Sequence, residues 1–264
     1  MKYILIIALI FNISFAKTFS SEELKKFHLM AEQGNVGAQM LLGNIFYDGE
    51  NLPQSYTEAL KWYKLAAEQG NIYAPVKIGL MFYNGEGVPQ SYTEALKWYK
   101  LAAEQGNSDA QIKIGLMFHN GVGVLKNYSE AIKWYKLASA KGDDIASYFL
   151  GNIFIDGEGV PQNYSEALKW YKLSAKQGNA DAKTQIGLMF YNGEGVDQNY
   201  FEAKKWFALA AEQNEGIAQA LLGMMFYEGQ GVKHNYKEAK EWFGKACDNG
   251  SQVGCNSYKK MNIE

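Results

Sequence analysis

The sequence predicts an all-α fold, an α/α superhelical solenoid of six 36-residue helix-loop-helix repeats with a half-repeat cap at each end. Three periodic observations carry this. All six tryptophans, at 62, 98, 134, 170, 206 and 242, fall 36 residues apart. Glycines at 43, 79, 115, 151, 187 and 223 keep the same period, as do alanines at 59, 95, 131, 167, 203 and 239. A period of this size sustained along a chain marks an array of one supersecondary unit, each burying its apolar face against its neighbours.

The elements follow in order. Residues 1–16 read as a secretory signal: Lys2, an apolar run from Ile4 to Phe11, and the small-x-small ending Ser14-Phe15-Ala16. The run is short for a membrane span, so cleavage after Ala16 and a periplasmic or secreted product are expected. Residues 17–35 match the second helix of a unit and form an N-terminal cap, with Lys26 in the tryptophan register. The repeats then occupy 36–71, 72–107, 108–143, 144–179, 180–215 and 216–250, and 251–264 is a partial seventh unit.

Residues 72–107 serve as the type unit. A first helix over about Ile72–Asn84 places Ala74, Ile78, Met81 and Phe82 at helical spacing. Its N-cap is Asn71, with Asn35, Asn107, Asp143, Asn179 and Ser251 equivalent in other copies. The loop Gly85-Glu86-Gly87-Val88-Pro89 breaks the helix. A second helix opens with the capping box Ser91/Glu94, repeated as Ser55/Glu58, Asn127/Glu130, Asn163/Glu166, Asn199/Glu202 and Asn235/Glu238. It ends at Gly106 in a left-handed C′ position, for which Asn214 is the next-best residue. Gly79 and the alanines allow close approach, and Phe82, Trp98 and Tyr99 fill the space between helices. The recurring aromatics therefore read as core rather than as ligand contacts.

These residues carry a family resemblance. The run Ala110-Ile114-Gly115-Phe118-Gly121-Gly123-Val124, then Tyr128, Glu130-Ala131, Trp134-Tyr135, Ala138 and Gly142, resembles the Sel-1-like repeat, a relative of tetratricopeptide repeats with a longer loop between its helices. The resemblance spans nearly all of residues 36–250 without insertion, and in related solenoids the first helices line the concave surface. Cys247 and Cys255 are the only cysteines. In an exported chain such a pair reads as one disulfide, against the alternative of two reduced thiols. The A-C-x7-C placement is similar to a secreted, cysteine-rich branch of the family in Gram-negative bacteria. That branch implies a penicillin-binding or weak β-lactamase activity as an alternative function.

Chemistry is sparse otherwise. The formal net charge is −2, or one unit lower without Lys2, and arginine is absent. Without bidentate guanidinium donors, a weakly acidic chain is a poor nucleic-acid binder. His28, His119 and His234 are scattered with no metal-ligand spacing, and no cofactor is expected. The G-x-G loops join helix to helix without a preceding strand, unlike phosphate loops. S-x-x-K occurs as Ser14–Lys17 and Ser257–Lys260, with no S-D-N or K-T-G element, so β-lactam hydrolysis has no mechanism in the residues.

Comparing the copies with one another locates variation in the first helices. Registers 73, 75, 76, 77 and 83 change from Tyr73, Pro75, Val76, Lys77 and Tyr83 to Asp109, Gln111, Ile112, Lys113 and His119, then to Ile145, Ser147, Tyr148, Phe149 and Ile155. Most are expected on the face opposite the core. That face is expected to bind a protein or peptide through Tyr73, Lys77, Tyr83, Lys113, His119, Ile145, Tyr148, Phe149 and Ile155, an unconstrained solvated surface being the competing reading. The apolar group Ile145, Tyr148, Phe149 and Ile155 would be its sharpest part if exposed. The second helices carry lysines in register, expected to form i,i+4 pairs such as Lys64–Glu68 on a solvated face.

Overall fold

The computed structural model describes residues 19–262, and the expected signal lies outside them. The described residues form fourteen helices and no strand. α1 is Ser21–Glu32, α2 Val36–Asp48, α3 Tyr56–Glu68, α4 Ala74–Asn84 and α5 Tyr92–Glu104. α6 is Ser108–Asn120, α7 Tyr128–Ser139, α8 Asp144–Asp156, α9 Tyr164–Gln177 and α10 Ala180–Asn192. α11 is Tyr200–Ala211, α12 Gly216–Glu228, α13 Tyr236–Asp248 and α14 Gln252–Lys260. The helices pair as hairpins of the α/α solenoid class, and they fall into two compact units dividing between Asn107 and Ser108. No helix among the described residues is long and apolar enough to cross a membrane.

Each hairpin is locked by one glycine and one ring. Tyr63, Tyr99, Tyr135, Tyr171, Phe207 and Phe243 are buried in the second helices, none more than 3% exposed. Each lies on the first-helix glycine of its own copy, Gly43, Gly79, Gly115, Gly151, Gly187 and Gly223. A Cβ on any of these would stand no more than 2.7 Å from a ring carbon. The tryptophan one residue earlier has a different place. Trp62 is buried, while Trp98, Trp134, Trp170, Trp206 and Trp242 are half-buried. Trp98, Trp170, Trp206 and Trp242 pack against clusters built from the second helix of the preceding hairpin and the first helix of their own. The innermost ring is thus the tyrosine or phenylalanine, and the tryptophan joins hairpins.

Caps follow the sequence with instructive departures. Asn35, Asp143, Asn179 and Ser251 accept from the third N–H of their helices. Asn71 accepts from Tyr73 and Ala74, both at 2.9 Å. Even so, α4 begins two residues later than expected, because Pro75 has no N–H to give the Asn71 carbonyl, where Gln39 donates to Asn35 at 3.0 Å in the first copy. Asn214 is left-handed at φ 61°, as expected of it.

The capping boxes are only half as expected. The cap side chains of α3, α5, α7, α9, α11 and α13 accept from the third N–H. Their own N–H groups, however, go to carbonyls of the paired first helices, at Phe46, Phe82, Phe118, Phe154, Phe190 and Phe226, within 3.0 Å. The tertiary bond displaces the glutamate, which turns to the lysine three residues on: Glu94–Lys97 at 2.6 Å, Glu166–Lys169 at 3.0 Å, Glu202–Lys205 at 2.7 Å. Ion pairs therefore run i,i+3 from the first turn instead of i,i+4 from Lys64. Exposed as they are, each contributes a few tenths of a kcal/mol.

The ends differ from the middle. Phe27 stands in the ring register of α1, and Phe19 covers it edge-on at 5.2 Å. At the other end Cys247 of α13 is bonded to Cys255 of α14. α14 is only nine residues long, too short to persist unsupported. A bond closing so short a loop contributes about 2–3 kcal/mol.

Candidate interaction surface

The variable first-helix registers do not form one outward face. In the 75 register Gln39, Pro75, Gln111 and Gln219 are buried, and so is Ser147. Gln39, Ser147 and Gln219 span their hairpins to the end of the second helix. Gln69 donates to Gln39 at 2.8 Å, Ser147 to Gln177 at 3.0 Å, and Asn249 to Gln219 at 2.9 Å. Their variation is compensated internally, one polar pair replacing another, which is what a buried polar group requires. In the 76 register Ile112, Thr184 and Ala220 are also buried.

The apolar group is not an exposed patch. Ile145 is 47% exposed, but its companions are half-buried. Phe149 stacks on the Tyr135 ring at 5.2 Å. Tyr148 packs on Tyr171 at 5.9 Å, and Ile155 joins the cluster built on Tyr171 and Ile186. Three of the four residues thus pack between helices, and Ile145 alone of the group stands exposed. Of the other candidates, Tyr73 is 56% exposed at the start of α4. Lys77 is half-buried with its ammonium 5.8 Å over the Tyr47 ring, and Tyr83 meets Tyr92 edge-on at 5.0 Å. Lys113 is half-buried on α6. Tyr73, Lys77 and Tyr83 belong to the first unit and the remaining six to the second.

The 83 register proves to be a junction between copies. Its side chain reaches the loop residue 39 positions on. Tyr47 donates to Glu86 at 2.6 Å, and Tyr191 donates to Gln230. In the third copy His119 takes this place, with Nε2 3.2 Å from Glu158 and its ring edge-on to Tyr128 at 5.3 Å. The loop glutamates are held further by the last residue of the first helix: Asn84 donates to Glu86 and Asn192 to Glu194, both at 3.1 Å. At Glu158 that residue is Asp156, which has no proton to give. Partial burial and the neighbouring Glu158 raise the Asp156 carboxyl above the ordinary carboxylate range, and His119 opposes this.

Several groups lacked a signal in single-residue reading. Gln54, Gln90, Gln162 and Gln198 each donate to the first-helix carbonyl seven residues back, at Tyr47, Tyr83, Ile155 and Tyr191. Their constant place after the loop was the only available clue. Glu215 caps α12 in place of the usual Asn, accepting from Ile217 and Ala218. Of the S-x-x-K runs, one lies outside the described residues, and Ser257–Lys260 forms the last turn of α14.

The Sel1 repeat family model matches residues 36–71, 74–107, 108–143, 144–179, 180–215 and 216–251. No curated protein is significantly similar in sequence. Among solved structures, a protective antigen of uropathogenic Escherichia coli with an SLR fold is 35% identical, with a TM-score of 0.81 over 88% of this chain. The chain spans only 50% of that relative's length. A Sel1 repeat protein from Oxalobacter formigenes is 30% identical, with a TM-score of 0.74 over 85% of this chain and 99% of its own. An immunity protein of Pseudomonas aeruginosa shares the fold at 18% identity, with a TM-score of 0.51 over 83% of each chain. Six matched copies, the glycine–ring lock in every one of them and two relatives at 30% identity or more make one conclusion: the chain belongs to the Sel1 repeat family.

Proposed function

We propose that this chain is an exported, non-enzymatic scaffold that binds a protein or peptide partner through the first-helix side of its repeats. Sel1 repeats generally mediate protein–protein interaction. The observation that supports the reading is the contrast between registers. The glycine–ring lock recurs in all six copies, while the exposed 73 register runs Tyr73, Asp109, Ile145, Asp181 and Ile217. Variation at exposed positions on a rigid frame is how repeat scaffolds acquire distinct partners. The Cys247–Cys255 bond supports export, since such bonds persist in oxidising compartments. The E. coli relative's description as a protective antigen agrees with that location.

Affinity capture from periplasm and culture medium tests this reading. The chain should retain a discrete partner that is lost when Ile145→Asp and Ile217→Asp are combined; both sites are exposed, so the fold should survive. Retention of the same partner by the double variant would overturn the assignment of the surface. The β-lactamase alternative is separated by a chromogenic cephalosporin: turnover that disappears with a single serine substitution would replace the scaffold reading.

A further inference from the structure

Two adjacent copies depart from the others on the exposed side of their second helices. In four copies the second helix ends on an exposed acid, at Glu68, Glu104, Glu212 and Asp248. Ala140 and Lys176 take that register at the ends of α7 and α9. Lys136 and Lys172 therefore have no carboxylate three or four residues away, whereas Lys64 and Lys100 keep Glu68 and Glu104. The helix dipole does not account for the change. A lysine in the last turn is favourable in any copy, yet the siblings place an acid there.

What α7 and α9 expose is one-signed. Every exposed charged residue on them is a lysine. Glu130 and Glu166 are half-buried and held by Lys133 and Lys169. Lys136, Lys172 and Lys176 have no ion-pair or hydrogen-bond partner among the described residues. Beside them Leu137 is 50% exposed and Leu173 37%. The two helices lie together in the second unit. Trp170 of α9 packs on the cluster that contains Ile132 of α7. Both helices close on the start of α8, through Ser139 to Ser147 and Ser174 to the Asp144 carbonyl, each at 2.7 Å. The two carboxylates at that start are engaged, Asp143 accepting from the Ala146 N–H at 3.0 Å and Asp144 from Asn179 at 2.9 Å.

We propose that the outer face of α7 and α9 binds an acidic segment of a partner protein. Its carboxylates sit on Lys136, Lys172 and Lys176, and its apolar side chains on Leu137 and Leu173. Unpaired ammonium groups supply the donors and charge that carboxylates require. Two part-exposed leucines are too little apolar surface to enter a bilayer. A face without arginine lacks the fork that favours phosphate. The proposal rests on the scaffold reading for the expectation of a protein partner, and it adds a surface on the second helices.

Fluorescence anisotropy of a labelled octapeptide alternating glutamate and leucine, with the full chain at low salt, is the test. The wild type should bind it and should not bind an octapeptide alternating lysine and leucine. Lys176→Glu, which restores the charge of the sibling copies, should weaken binding about tenfold and leave the unfolding midpoint unchanged or higher. Lys237→Glu, the same charge reversal at an exposed position in the first turn of α13, should change binding less than twofold. Equal weakening by the two variants would mark diffuse charge and overturn the site, as would absence of peptide binding. Equally tight binding of a glutamate–serine octapeptide would overturn the leucine contacts. Binding to phosphatidylglycerol vesicles, with none to the peptide, would make the face a lipid contact instead. The capture experiment is read separately, so a partner held through Ile145 and Ile217 without peptide binding would sink this contact alone.

Discussion

The hairpins α6–α7 and α8–α9 are adjacent copies of one design that treat the same ring differently. Both bury a tyrosine on a helical glycine, Tyr135 on Gly115 and Tyr171 on Gly151. Tyr171 gives its hydroxyl to Asn152, whereas Tyr135 faces Leu116 and gives it to nothing. In the last two copies the pair is apolar on both sides, Leu188 with Phe207 and Met224 with Phe243. A matched pair, polar or apolar, is what packing alone requires. The second and third copies pair a tyrosine with a leucine, Tyr99 with Leu80 and Tyr135 with Leu116, and of these it is the Tyr135 hydroxyl, beside His119 and Glu158, that is buried without a partner. Shared residues hold the hairpin together, and the unmatched ones mark where another demand acts.

The largest effects should fall on what the hairpins share. Gly115→Ala and Gly151→Ala each drive a methyl into the ring, and each should cost about 3 kcal/mol by urea unfolding. Similar losses at both sites would keep the lock common to the two hairpins. A tolerated Gly115→Ala would show that the third copy is the looser one and break the comparison at its base.

The smallest effect sharpens the comparison at its charged edge. Asp156 has a raised carboxyl pKa in the folded chain. A raised acid favours the folded state while protonated, and that contribution is lost as pH rises from the unfolded value, about 3.9, through the folded one. Asp156→Asn should therefore give an unfolding midpoint slightly above wild type at pH 7, and the difference should vanish below about pH 3. A lower midpoint at pH 7 would mean that the carboxylate serves the fold.

Most of the fold was legible because helix packing repeats in sequence. Period, helix order, caps such as Asn35 and Asp143, and the left-handed Asn214 all follow from local rules. The glycine of the lock was legible as a site of close approach, but its partner was not. The invariant Trp98 drew attention from Tyr99, which is deeper because it points at the glycine of its own hairpin. The second half of each capping box failed for a tertiary reason: the N–H of Ser91 finds the Phe82 carbonyl before the Glu94 side chain. Variation was misread at Tyr148 and Phe149, where the changing residues pack on the Tyr171 and Tyr135 rings rather than standing free in solvent. The mismatch at Leu116 and Tyr135 lies 19 positions apart in sequence and emerges only when the copies are superposed in space.

The most direct test is the difference between Tyr171→Phe and Tyr135→Phe in urea unfolding at pH 7. The account predicts a loss of about 1 kcal/mol for Tyr171→Phe, which leaves Asn152 without its donor, and no loss or a small gain for Tyr135→Phe. Equal losses would contradict it, because the Tyr135 hydroxyl would then have a partner within the fold.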